Sequence, residues 1–232
     1  MNSSQPSLMI KLLKSIRDSR LVWDVMGSIY NKRIYVAITE LYDHIVQNPD
    51  IAGQQRIIDV GMGRGYVSLL LAAQNPRAMI TGIDYSPMQV RAAEKLRLER
   101  KIVNCSFIQG NVMNIRFADK TFDAAVSVGS IKHWPDGLGG LKEIHRVLKP
   151  GGWLVISETD EGAYDQAVSE FIRKFQVWFI PSRLLFWGLR HVIFGQSYTE
   201  ITLADAVYEA GFRNIEYQRV ANCPYVLIKA RK

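Results

Sequence analysis

The sequence predicts an α/β fold with a mostly parallel sheet and helices on both faces. Three observations predict it. An apolar stretch, Arg56-Ile-Ile-Asp-Val60, runs into a turn with glycine at every second position, Gly61, Gly63 and Gly65, and an apolar, helix-favouring stretch from Tyr66 to Gln74 follows. Short apolar strands then alternate with helical periodicity for the next hundred or so residues, as βα units require. Finally, the strands end on polar residues again and again, which marks one edge of the sheet as the edge that meets a ligand.

The elements follow in order. Glycines lack a Cβ, so the loop Gly61 to Gly65 can take positive φ and let a ligand approach the main chain. The helix behind it presents a free N-terminus at the carboxyl end of the first strand. The pattern is not the G-x-G-x-x-G of a dinucleotide fingerprint. Asp59 stands at the strand end, where it repels a pyrophosphate and suits a ligand carrying an amine. This points away from nicotinamide cofactors. The second strand, Met79-Ile-Thr-Gly-Ile-Asp84, ends one βα unit later on a carboxylate able to accept from two ribose hydroxyls, followed by Tyr85-Ser-Pro-Met88. A third strand, Cys105 to Gln109, runs into Gly110-Asn111-Val112, and a fourth, Phe122 to Val128, into Gly129-Ser-Ile-Lys-His-Trp-Pro-Asp136. Leu141 to Leu148 has helical periodicity, with Lys149-Pro-Gly-Gly152 as its expected terminating turn, and Trp153 to Ser157 is a fifth strand. Thr202 to Asp205 reads as a capped helix start with Gly211 as its stop. Asn214 to Val220 and Tyr225 to Ala230 read as the last two strands. Taken singly, Asp59 and Asp84 could be ordinary acids of strand-end turns.

Four ordered blocks, Ile57-Ile-Asp-Val-Gly-Met-Gly-Arg-Gly65, Ile80-Thr-Gly-Ile-Asp-Tyr-Ser-Pro87, Phe122-Asp-Ala-Ala-Val-Ser-Val-Gly-Ser130 and Leu141-Lys-Glu-Ile-His-Arg-Val-Leu-Lys-Pro-Gly-Gly152, agree in type and spacing with one family. Over roughly Arg56 to Glu158 the chain resembles the class I S-adenosylmethionine-dependent methyltransferases, in the ubiquinone/menaquinone-biosynthesis-like small-molecule branch. The resemblance implies a Rossmann-like sheet with a reversed C-terminal strand, an N-terminal helical cap and an inserted helical lid. It implies S-adenosyl-L-methionine as cofactor and no metal. Gly61, Met62, Gly63 and Gly65 would line the methionine moiety and ribose, with Asp59 near the ligand's ammonium through water. Asp84 would accept from the ribose hydroxyls, Tyr85 and Met88 would cover adenine faces, and the backbone around Val128 and Gly129 would hold the amino-acid end. Asn111 stands where the family usually has an acid. Its amide oxygen can still accept from the adenine amine while the Val112 amide donates to the ring.

The organisation expected is one methyltransferase domain over 1–232, with a helical cap at 1–50, a cofactor-binding core at 51–160, an inserted lid at 161–198 and a C-terminal helix and strand hairpin at 199–232. At 232 residues and 48% hydrophobic, the chain can bury a full core and exceeds a minimal sheet of this kind. Cap residues Tyr30 and Tyr35 are candidates to reach the cofactor, with core packing as the competing reading. Met9 to Ile16 reads as an amphipathic cap helix, although the basic, serine-containing stretch Asn2 to Arg20 also resembles a presequence. Phe171 to Ile180 and Ser182 to Phe194 are aromatic and apolar, with Arg183 and Arg190 a heptad apart on one helical face. They read as an acceptor lid, as a peripheral membrane contact, or as an ordinary buried helix pair.

Function follows from these residues and the charge. Methyl transfer is an in-line displacement, so alignment and water exclusion dominate, and a phenol or activated ring carbon gains from a base. Of the four histidines, His133 alone follows a strand end on the ligand edge, and it is the candidate base or acceptor anchor. The acceptor expected is a small hydrophobic phenol, quinol, lipid or amine. A non-catalytic S-adenosylmethionine-binding protein and an RNA methyltransferase are the alternatives, with a nicotinamide oxidoreductase third. The net charge of +7 is spread along the chain, and Ser127-Val-Gly-Ser130 is not the turn that holds a flipped base, which argues against nucleic acid. Cys105 and Cys223, buried thiols by their positions, fit a reducing cytoplasmic setting, and no stretch is apolar for long enough to span a bilayer.

Overall fold

Side-chain alternation in the first strand divides the molecule into two packed layers. The computed structural model describes residues 33, 35–175, 182–188, 190 and 197–232. Strand β1, Arg56–Val60, places Ile57 in one apolar cluster and Ile58 and Val60 in another on the opposite face, all fully buried. Burying an isoleucine in this way contributes about 1.5–3 kcal/mol, so neither layer is dispensable. Around β1 lie β2 (Met79–Asp84), β3 (Cys105–Gln109), β4 (Phe122–Val128), β5 (Leu148–Thr159), β6 (Arg213–Arg219) and β7 (Tyr225–Arg231), in the order β3-β2-β1-β4-β5-β7-β6. Neighbours from β3 to β5 are parallel. Strand β7 runs antiparallel to both β5 and β6, so it is the reversed C-terminal strand that was expected. The order of strands turns round between β1 and β4, and open α/β sheets bind ligands at such a switch point.

Helix α1 (Thr39–Val46), α2 (Tyr66–Gln74), α3 (Pro87–Glu99) and α5 (Asp165–Phe175) send Leu41 and Ile45, Leu69 and Leu71, Leu96, and Phe171 and Phe175 to the Ile57 layer. Helix α4 (Gly137–Val147) and α7 (Glu200–Glu209) send Leu141 and Ile144, and Leu203 and Val207, to the Ile58 layer. Helix α3 starts where Ser86 accepts from the Gln89 amide and Pro87 occupies the first turn, which needs no amide donor there.

Several boundaries differ from the sequence reading. Lys149 to Gly152 is not a free turn. It belongs to β5, because the Gly151 amide donates to the Lys232 carbonyl and the Lys232 amide to the Gly152 carbonyl, both at 2.9 Å. Helix α4 begins at Gly137, ahead of Leu141. In α7 the cap is Thr199, with Thr202 closing a reciprocal capping box at the third helical position. Of the cap at 1–50, Tyr30 and the Met9 to Ile16 stretch lie outside the described residues. Of the lid, α5 begins at Asp165 and a short α6 spans Ser182–Gly188, while 176–181, 189 and 191–196 lie outside them. Among the described residues no helix is long and apolar enough to cross a membrane.

Candidate functional site

The glycine loop is stitched to the end of β2 before any ligand is considered. Both the Gly61 and Met62 amides donate to the Ile83 carbonyl, at 2.9 and 3.1 Å. Asp84, one residue further, accepts from the Gly63 amide through Oδ2 at 2.9 Å and from the Ser86 amide through Oδ1 at 2.8 Å. Burial pushes the Asp84 carboxyl up and the two amides pull it back. The sequence places the two features 20 or so residues apart, and parallel pairing of Val60 with Ile83 brings them together.

The turn after β4 closes on the same loop. An added Cβ at Gly61, φ +70°, would sit 2.2 Å from Ser130 Oγ, so this glycine is required by the contact as well as by its backbone angle. Ser130 Oγ donates to the Val60 carbonyl at 3.3 Å and accepts from the Trp134 indole at 3.0 Å, while Ser127 Oγ donates to the same carbonyl at 2.8 Å. Gly63 is different. An added Cβ there meets nothing within 4 Å, so this part of the loop faces open space. Gly65 lies against the Phe107 ring and caps α2.

The remaining expected positions lie on this edge. Tyr85 is 65% and Met88 42% exposed, large apolar side chains left in the open beside Asp84. Asn111 is exposed and its Oδ1 accepts from the Met113 amide at 2.9 Å, with Val112 packed into the Ile58 layer. That loop is braced from behind: Glu143 accepts from the Ile115 amide, and Arg146 donates to the Ile115 and Phe117 carbonyls. The Gly129 amide is taken by the Ser157 carbonyl at 2.8 Å, and Val128 is half-buried.

Asp59 sits deeper than the others, 2% exposed on the α2 side of β1. It accepts from Ser68 Oγ at 2.5 Å. Burial pushes its pKa up to about 7, against the Ser68 hydrogen bonds. Buried Tyr42 of α1 lies close enough for the Asp59 charge to help raise its own pKa, after burial itself. Tyr35 reaches the helix behind the glycine loop, its ring 4.3 Å from that of Tyr66.

His133 lies in a one-turn 3-10 helix, Ile131–His133, that leaves the β4 end and is half-buried. Its neighbours Lys132 and Glu158 form a buried ion pair, Lys132 Nζ to Glu158 Oε1 at 2.5 Å. The sequence reading missed this pair, although the signal used for Asp59 and Asp84, a carboxylate closing an apolar strand, also applies to Glu158 at the end of β5. Ser68 and Ser130 were missed as well, and only the three-dimensional contact reveals them. In the lid region Phe186 packs against the Ile57 layer whereas Trp187 is 38% exposed. Arg190 lies beyond the end of α6 and donates to the Glu161 carbonyl at 3.1 Å.

The chemistry of this edge is uniform: a glycine loop after β1, a rim carboxylate at the end of β2, and an amide-bearing loop after β3, flanked by open apolar side chains. Together with the doubly wound sheet and its reversed β7, it defines the class I methyltransferase fold. Residues 58–156 match the family model for a methyltransferase domain. Over that stretch the chain carries a methyltransferase domain, and it is similar to methyltransferases of the quinone-biosynthesis branch. A demethylmenaquinone methyltransferase of Geobacillus sp. (strain WCH70) is 31% identical over 140 residues, 60% of this chain and 58% of that protein. The chain covers between 32% and 58% of the length of this and the next such relatives. Among solved structures, a methyltransferase from Thermotoga maritima described as a possible histamine N-methyltransferase is similar at TM-score 0.64 and 17% identity, covering 91% of this chain and 98% of that one. The [4+2]-cyclase SpnF is similar at TM-score 0.63 and 22% identity, covering 83% of this chain and 80% of that one. Likeness at these identities shows the fold.

Proposed function

We propose that this protein transfers a methyl group from S-adenosylmethionine to a small hydrophobic acceptor with a hydroxylated aromatic ring, of the phenol or quinol kind. The observation that carries the reading is the convergence, at the β1/β4 switch point, of the glycine loop, the Asp84 carboxylate and the Asn111–Val112 loop. The open side of Gly63 and the exposed Tyr85 and Met88 fit the cofactor, since they leave main-chain approach and apolar cover where an adenosyl group needs both. Gly61, Met62, Gly63 and Gly65 would flank its methionine and ribose, Asp84 its ribose hydroxyls, Asn111 and Val112 its adenine edge, and Val128 and Gly129 its amino-acid end. Buried Asp59 would face the ammonium through water, and the cation would favour its ionised form. Bound there, the cofactor supplies an electrophilic methyl group.

The chain's own residues then align the acceptor and exclude water. His133, at the β4 end, takes the hydroxyl proton of the acceptor as a base or anchors that hydroxyl. The aromatic segment around α5 and α6 covers the acceptor, and exposed Trp187 beside basic side chains suits a headgroup boundary, so the protein meets its apolar substrate as a peripheral visitor to a membrane from the cytoplasmic side. The arrangement is one domain, cap and lid included. A quinol acceptor is favoured because the relative named above is a demethylmenaquinone methyltransferase.

The fold also serves a cyclase, so turnover decides. The test offers a panel of hydroquinones, phenols and amines with S-adenosylmethionine and measures S-adenosylhomocysteine and methylated product together. Equimolar amounts of both with a hydroquinone are expected. Tight S-adenosylmethionine binding with no turnover on any acceptor would leave a non-catalytic binder, and binding of NADH in its place would leave an oxidoreductase.

A further inference from the structure

The turn that carries His133 is pinned from two sides. Towards the glycine loop, Ser130 and Trp134 tie it to the Val60 carbonyl. Towards β5, Glu158 takes hold of Lys132 twice: Oε1 accepts from Lys132 Nζ at 2.5 Å, and Oε2 lies 3.4 Å from the Lys132 amide. Lys132 Nζ also donates to Thr159 Oγ1 at 3.2 Å, and the Thr159 amide donates to Glu158 Oε1 at 2.6 Å. The Glu158 side chain is fully buried and that of Lys132 is 8% exposed. Resting on the proposed function, we infer that the Glu158–Lys132 pair is a positioning device for the acceptor side, holding the 131–133 turn in one register and placing an anion beside His133.

A buried ion pair is a poor source of stability, because desolvation offsets most of the attraction. It is an effective source of direction, because both members have fixed donors and acceptors. Burial pushes the Glu158 carboxyl up, but the Lys132 charge and its hydrogen bonds outweigh this and hold it below the usual range, with His133 adding to the effect. Glu158 is therefore ionised at neutral pH. The Glu158 charge lies close enough to His133 for the two to interact. The groups facing this cluster are Lys132 and His133 on the turn, Glu158 on β5, Asp136 after the turn, and the Tyr198 hydroxyl, whose pKa is raised by burial and by both carboxylates.

Glu158→Gln removes the charge and keeps an acceptor. Its first readout needs no acceptor substrate: NMR titration of the His133 ring, assigned by its disappearance in His133→Gln. The His133 pKa is expected to fall by about half a unit or more, since an adjacent anion is lost. Calorimetry with S-adenosylhomocysteine should show unchanged affinity. With a hydroquinone acceptor, kcat should fall about tenfold or more and the acid limb of the pH profile should move to lower pH, with partial rescue in Glu158→Asp. An unmoved His133 titration and unaltered kcat in folded Glu158→Gln overturn the inference. Should that variant not fold, Lys132→Met/Glu158→Met replaces the pair by apolar groups, a change that buried pairs tolerate. That double variant should bind S-adenosylhomocysteine normally and lose turnover, and full turnover overturns the inference. A wild-type protein that transfers no methyl group contradicts the proposed reaction instead, and the His133 titration then decides the positioning claim by itself.

Discussion

Two glycines two residues apart should fail in different ways when a methyl group is added. At Gly61, φ +70°, the new Cβ would lie 2.2 Å from Ser130 Oγ and 2.6 Å from Ser130 Cβ, so Ser130 must move. Its bonds to the Val60 carbonyl and the Trp134 indole are then lost. Left-handed strain of about 1–2 kcal/mol and about 1 kcal/mol for each of the two hydrogen bonds, less about 0.4–1 kcal/mol for the stiffer unfolded chain, leave a loss of roughly 2–3.5 kcal/mol. At Gly63, φ +54°, the strain is the same but nothing lies within 4 Å of the new atom. Part of that strain is offset by the stiffer unfolded chain, leaving a loss of about 1 kcal/mol. The methyl group would instead project from the open side of the loop. Urea unfolding should therefore report a large loss for Gly61→Ala and a small one for Gly63→Ala. Calorimetry should show that folded Gly63→Ala binds S-adenosylhomocysteine about tenfold or more weakly, that is by about 1.4 kcal/mol or more. If Gly63→Ala binds as the wild type does, the loop is not the ligand's seat.

Other perturbations separate the remaining roles. Asp84→Ala should cost about 2–4 kcal/mol of cofactor binding through lost charge-assisted hydrogen bonds, and unchanged affinity in a folded variant would misplace the ribose. Asn111→Asp keeps the acceptor that holds the Met113 amide, so cofactor affinity should hold or tighten; a tenfold loss would show that the amide's donor is what is read. Asp59 has a folded pKa of about 7. Its unfolded value is about 3.9, so the native state holds a proton that the unfolded state has lost between about pH 4 and pH 7. Stability from this group therefore falls as pH rises through that window, by up to about 4 kcal/mol at pH 8, and Asp59→Asn should flatten the stability curve. Parallel curves for the two proteins would contradict the buried acid. Trp187→Ser should raise the acceptor's KM or weaken liposome binding while leaving stability and cofactor affinity alone, because the side chain is 38% exposed. Phe186→Ser, cut from the core, should destabilise the fold instead. Equal destabilisation by both would make the segment an ordinary helix pair.

The sheet was legible because each strand is short, apolar and punctuated, so β1 to β4 fall where the pattern puts them. Asp84 and the glycine loop were legible for the same reason: they stand at strand ends. Contacts made across the sheet left no local trace. Gly151 and Gly152 look like a turn until Lys232, at the far end of the chain, pairs with them. Ser130 shows no motif, and its importance comes from its approach to Gly61. Glu158 carried the same strand-end signal as Asp84, but its meaning depends on Lys132 across the β4–β5 edge, and one residue of the pair says nothing about the other. Thr202 reads as a cap because Thr202-Leu-Ala-Asp205 has a hydroxyl three residues before an acid, and only the backbone shows Thr199 to be the cap, with Thr202 at the third helical position.

If the switch-point loop presents S-adenosylmethionine to a hydroxylated aromatic acceptor, the methyl group must leave the cofactor for that ring. Single-turnover transfer from S-adenosylmethionine labelled in its methyl group tests it most directly, with a short-chain hydroquinone as acceptor and extraction of the product into organic solvent. Wild-type protein should move the label into the extract in step with S-adenosylhomocysteine, and Asp84→Ala should do so only at much higher cofactor concentration. Label that stays on the bound cofactor, with binding intact and every phenolic acceptor tried, would contradict the claim.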